Sequence, residues 1–147
     1  PYWVASPRTA LLSIAMVAIW GSGRAILIYL AGLKDVPQHL YEAAEIDGAG
    51  AAAKMWHITL PLLTPQMLFN LVTLLIHSLQ AFTEVFIMTN GGPNNSTLLY
   101  GLHLYNRAFK DMQMGMASAM AWILFIIIFV LTVVLFRLSK NLVVYDR

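Results

Sequence analysis

Apolar residues fill three long runs of the chain, at about 9–33, 65–88 and 114–136, with polar, turn-rich sequence between them. Each is longer than the roughly 20 residues that cross about 30 Å of hydrocarbon as a helix. The pattern predicts three transmembrane helices. The first is interrupted by Gly21-Ser22-Gly23-Arg24; glycines there permit a bend or close helix contact, and Arg24 should face protein, water or a headgroup. The second opens with a proline at Pro65, tolerated in a first turn. It carries more polar residues than a lone helix in lipid would: Asn70, Thr73, His77, Ser78, Gln80, Thr83 and Glu84. The third is apolar from Ala119 to Phe136 except for Thr132, and small residues from Gly115 to Ala121 crowd its start, which allows close approach of a neighbouring helix.

The first polar stretch, 34–61, has helix-boundary chemistry. Asp35 is placed as an N-cap, with Pro37 in the first turn and Gln38 at the capping-box position, which predicts a helix over about 36–47. Gly48 breaks it, Gly50 adds freedom, and a second short helix over about 51–59 ends near Pro61. The pair reads as a helix-turn-helix lying at the membrane surface. The second polar stretch, 89–113, starts with a clear turn at Gly91-Gly92-Pro93-Asn94-Asn95 and predicts a surface helix over about 97–109.

Three spans put the termini on opposite sides. Arg137, Lys140 and Arg147 after the third run favour a cytoplasmic C-terminus. The stretch 34–61 is then internal and 89–113 external. Lys34 and Lys54 are outnumbered in the connector by Asp35, Glu42, Glu45 and Asp47, but acidic residues contribute little to orientation.

Composition agrees with an all-α membrane protein: 59% hydrophobic and 11% charged, far from the balance of soluble domains. The net charge of +2 is spread thinly, which argues against a nucleic-acid surface. The absence of cysteine excludes disulfides and thiolate metal sites. The chain opens on Pro1 with no signal-peptide pattern, and the expectation is part of a longer protein.

Two sets of residues carry candidate chemistry. Glu42 and Glu45 share a helix face at i,i+3, beside Ala43 and Ala44, with Asp47 further round. They are either a solvated face or a docking surface, where small alanines permit close approach and a carboxylate pairs with an arginine or backbone donors. His77, Gln80 and Glu84, at i, i+3 and i+7, define a stripe with Asn70 on the same side. It serves either interhelical hydrogen bonding or a path for hydroxyl-rich solutes. His39, His57, His77 and His103 lack ligand spacing, so no metal site is expected. A membrane enzyme using Glu42 or Glu84 as a base would lack any accompanying nucleophile or phosphate loop.

The connector can now be placed. Glu42-Ala43-Ala44, three residues, Gly48, nine residues, then Ile58-x-Leu60-Pro61 resembles the EAA motif of bacterial ABC-importer permeases at every motif position. Leu30-Ala31-Gly32-Leu33 upstream and Thr89-Asn90-Gly91-Gly92-Pro93-Asn94-Asn95-Ser96-Thr97 downstream resemble its carbohydrate and glycerol-phosphate branch. The likeness covers nearly the whole chain and corresponds to the C-terminal half of such a permease. It implies a multi-pass bacterial inner-membrane subunit that hydrolyses nothing and holds no cofactor, ATP and Mg²⁺ belonging to a cytoplasmic ABC ATPase dimer. It implies further partners: a second permease subunit, an extracytoplasmic solute-binding protein delivering a carbohydrate or polyol, and the lipid bilayer. Glu42, Ala43, Ala44 and Gly48 would be the ATPase contact and hinge set, and Ile58, Leu60 and Pro61 would link it to the second span. The competing expectation is a structural membrane subunit that anchors a non-transport complex.

Overall fold

The computed structural model describes residues 3–140, and every regular element among them is helical. Arg147 lies outside the described residues. In chain order the elements are α1 (Ala10–Trp20), α2 (Gly23–Asp35), α3 (Gln38–Ile46) and α4 (Ala51–Lys54). A π-helical turn, Met55–Thr59, leads from α4 into α5 (Leu60–Leu62), followed by α6 (Thr64–Leu79) and α7 (Thr83–Met88). After the loop come α8 (Tyr100–Tyr105), which ends in a second π-helical turn, Asn106–Lys110, and α9 (Met114–Ser139).

Two stretches are long and apolar enough to cross a membrane, Ala10–Asp35 and Met114–Ser139, and in each only 6% of the apolar window is buried. Such surface requires lipid or other helices around it. A third candidate is the pair Ala51–Leu62 and Thr64–Leu79, bent by 61° at Leu63. The first stretch is interrupted at Gly21-Ser22, where the glycines predicted it. The third continues to Ser139, one turn beyond the apolar run.

One element end differs from expectation. Asp35 closes α2 and does not cap α3; the N-cap is Pro37, extended at ψ 128°. Val36 precedes a proline and is therefore disfavoured in the α region, so the helix before it stops. The helical stretch after Gly50 ends at Leu62, next to Pro61, which lies inside its last turn. Proline lacks an N–H and crowds the carbonyl four residues back, and the wider π turn before it relieves both demands.

The second predicted span is not one helix. α6 stops at Leu79, residues 80–82 are non-helical, and α7 starts at Thr83. A tertiary contact holds this break. A Cβ on Gly101 of α8 would lie 3.0 Å from the carbonyl oxygen of Ala81, so a side chain there would require that backbone to give way, and glycine lets the two backbones meet without it.

The chain divides into two units. One comprises residues 3–22 and 74–132. Its core is Ile14 of α1, Val85 of α7 and Leu102 of α8, with Phe82, Met88, Leu98, Leu99 and Tyr105 packed around it. Aromatic rings extend this core: Phe82 meets Tyr105 at 5.1 Å and Tyr105 meets Phe109 at 5.0 Å between centroids. The Tyr100 hydroxyl donates to the Met120 carbonyl of α9 at 2.8 Å. The other unit comprises residues 23–73 and 133–140. In it α2 approaches α6 at Gly32, where an added Cβ would lie 2.9 Å from Gln66.

Candidate functional site

The connector is built around the end of α3. Gly48 lies in the left-handed region at φ +78°. Its N–H donates to the Glu45 carbonyl at 3.0 Å, and the Ala49 N–H donates to the Ala44 carbonyl at 2.8 Å. Together these two bonds form a Schellman motif, which satisfies carbonyls that a helix end leaves open. The helix therefore stops at a defined angle. Glu42, Ala43, Glu45, Ile46, Asp47 and Gly48 are all exposed around this end, Ile46 by 88%.

Two side-chain bridges tie α3 to the segment that follows. Lys54 pairs with Glu45, and its side chain is only 17% exposed. The hydroxyls of Tyr41 and Thr59 lie 2.9 Å apart, with Thr59 buried. The Lys54 hydrogen bond, then its charge, holds the Glu45 carboxyl below its ordinary range. Ile58, Leu60 and Pro61 are half-buried and carry the chain through the π turn toward the bend before α6.

The polar stripe is distributed differently from the helical spacing. Asn70 and His77 belong to α6, Gln80 lies in the break, and Glu84 sits in the first turn of α7. Because the helix ends at Leu79, the i, i+3, i+7 register does not continue past His77. His77, Gln80 and Glu84 are exposed, while Asn70 is half-buried. One turn before Asn70, Gln66 is also half-buried, and Gln66 Oε1 and Asn70 Nδ2 are buried without a hydrogen bond inside the chain. Among the described residues no cluster of three histidine or acidic side chains can hold a metal ion.

Residues 2–143 match the family described as "Binding-protein-dependent transport system inner membrane component". The chain belongs to this family. Among individual proteins, it is 43% identical over 146 residues to "Probable ABC transporter permease protein YesP" of Bacillus subtilis, covering 98% of this chain and 47% of that protein. It is 42% identical to the multiple sugar-binding transport system permease protein MsmF of Streptococcus mutans, covering 90% and 46% of the two chains. It is 36% identical to the sulfoquinovosyl glycerol transport system permease protein SmoG of Agrobacterium fabrum, covering 95% and 46%. The chain spans about half the length of these relatives.

The family is one of membrane transport components and not of enzymes, and the long apolar stretches of this binding-protein-dependent inner membrane component agree with an inner-membrane, multi-pass location. Within it, spacing alone missed several residues. Tyr41 and Thr59 are 18 residues apart on two helical elements separated by the turn at Gly48, so the periodicity of neither element pairs them. Thr97, expected to open a helix, is instead fully buried in the loop, its hydroxyl donating to the Gly92 carbonyl at 2.8 Å. The resemblance of the Thr89–Thr97 string was the one signal available for it.

Proposed function

We propose that the chain forms part of the permease subunit of an ATP-driven importer for sugars or related polyols. In this reading the stretch 34–61 faces the cytoplasm, as does the C-terminus, and a partner ABC ATPase dimer grips it. The observation that carries the reading is the end of α3: an exposed Glu42-Ala43 surface whose helix is stopped by the Gly48 cap and continued into the bend before α6. Glu42 supplies a carboxylate for an arginine or backbone donor of the partner. Ala43 and Ala44 let the partner approach closely, and Gly48, Ile58, Leu60 and Pro61 set the path from the docked helix to the span.

The mechanism is alternating access. Nucleotide binding closes the ATPase dimer, and its preference for the closed form biases the spans between inward- and outward-facing states. ATP and Mg²⁺ act in that partner. A second permease subunit completes the pathway, and an extracytoplasmic binding protein delivers solute near 89–113. The names of MsmF and SmoG support a carbohydrate-type solute. Asn70, His77, Gln80 and Glu84 are the path candidates, offering the amide, imidazole and carboxylate groups that hydroxyls bind.

The test is Glu42→Ala combined with Gly48→Pro in the full-length permease, reconstituted with its ATPase. Proline cannot adopt φ +78° and removes the N–H given to Glu45. Solute-stimulated ATP turnover is expected to disappear while the permease still inserts and assembles with its membrane partner. Normal stimulated turnover would refute the reading.

A further inference from the structure

We propose that Tyr41, Thr59, Glu45 and Lys54 are positioning residues that make the connector one rigid arm, so that motion imposed on Glu42 reaches α6 undiminished. The inference rests on the coupling role proposed above and adds residues to it that lie outside the EAA pattern.

The geometry favours an arm over a flexible loop. α3 has nine residues and α4 with its π turn has nine more, lengths at which isolated helices are marginal in water. The Schellman cap sets the turn at Gly48, but Gly50 beyond it leaves the following segment free to swing. The two side-chain bridges oppose that swing, one at the middle of α3 and one in its last turn. Tyr41 reaches Thr59 at the end of the π turn, and Glu45 reaches Lys54 at its start. Two attachment points separated by one turn of α3 fix its direction as well as its position, which a single contact could not do. The Thr59 hydroxyl also lies 3.4 Å from the Lys54 carbonyl, so the two bridges share the same turn.

The environment of each bridge sets its weight. Thr59 is buried, and removing the Tyr41 hydroxyl takes away the nearer of the two partners of its hydroxyl, leaving the longer contact to the Lys54 carbonyl. Lys54 is largely covered while Glu45 is 68% exposed, so the ion pair contributes little to stability but restricts where Glu45 sits. Glu42 is one residue after Tyr41 and three before Glu45, between the two attachment points.

The experiment uses the full-length permease assembled with its ATPase, membrane partner and binding protein. ATP hydrolysis and solute uptake are measured together in vesicles for Tyr41→Phe, Glu45→Lys, Lys54→Glu and the double variant Glu45→Lys/Lys54→Glu. Solute-dependent ATP turnover by the unaltered complex is established first, and its absence would sink the coupling role and this inference together. With it present, each single variant is expected to retain the ATPase in the complex but to move about tenfold less solute per ATP hydrolysed. The reversed pair is expected to recover most of that ratio. An unchanged ratio in the single variants overturns the proposal. So does a parallel fall of hydrolysis and uptake accompanied by loss of the ATPase, which would mean that the bridges only keep the docking surface folded.

Discussion

The Thr97 hydroxyl lies 2.7 Å from that of Thr89, inside the loop that follows α7. Each hydroxyl has one proton: that of Thr97 is given to the Gly92 carbonyl at 2.8 Å, and that of Thr89 is shared between the Val85 carbonyl at 3.0 Å and the Thr97 oxygen. Thr97 is fully buried, and its side chain thus closes the loop that carries the left-handed residues Asn90, Gly91, Asn94 and Asn95. Thr97→Val keeps the shape but removes the donor, leaving the Gly92 carbonyl without it. The expected cost is about 1–3 kcal/mol, read as a lower thermal midpoint of the full-length protein in detergent. Thr97→Ser should restore most of the loss.

Gly48 makes a different prediction. A Cβ there would meet nothing within 4 Å, so any effect of substitution comes from the backbone. Holding an ordinary L-residue at φ +78° costs about 1–2 kcal/mol. Gly48→Ala should therefore lower stability, and Gly48→Asn should lower it less, since asparagine tolerates this region. Equal melting of the alanine and asparagine variants would show that packing, not φ, is what the position demands.

Gly32 and Gly101 separate two kinds of crowding. At Gly32 the obstacle is the side chain of Gln66; at Gly101 it is the backbone carbonyl of Ala81. Gly32→Ala is expected to destabilise by about 1–3 kcal/mol, and trimming the obstacle with Gln66→Ala should recover part of that in a double-mutant cycle. Gly101→Ala has no such remedy, because no side-chain truncation moves the Ala81 carbonyl. It should shift α8 against the break after α6 and lower the thermal midpoint in every background tested.

The parts of this architecture that follow from local chemistry were legible. The glycine interruption near residue 21, the stop at Gly48 and the proline-rich entry to α6 all announce themselves through φ preferences or missing donors. The break at 80–82 did not, because Gln80-Ala81-Phe82 contains neither glycine nor proline. It exists through tertiary contacts: Gly101 against the Ala81 carbonyl, and Phe82 against Phe86 and Tyr105. The same holds for the candidate site. The exposed Glu42 surface could be read from spacing and resemblance, whereas the Tyr41–Thr59 bridge depends on how two short helices fold back on each other, which no periodicity encodes. Asp35 shows the limit of a local rule: its capping pattern is present, yet the pre-proline restriction on Val36 decides where α2 ends.

The Glu45–Lys54 pair predicts a direction of pH dependence. The hydrogen bond from Lys54, and then its charge, lowers the Glu45 pKa from the ordinary value of 4.5. A carboxyl whose folded pKa is depressed binds fewer protons in the folded state than in the unfolded one. Its contribution is therefore complete above the unfolded value and is lost as pH falls through the lower, folded value. The window lies below 4.5. Glu45 is mostly exposed, so solvent and salt screen the pair and the effect is small. Lys54→Met keeps the apolar stem while removing the ammonium. Thermal midpoints of the full-length protein and of this variant, compared from neutral pH downward, should differ most above the window and converge below it. Added salt should shrink the difference at neutral pH. A gap that stays constant through the acid range would assign the role of Lys54 to packing of its stem and not to its charge on Glu45.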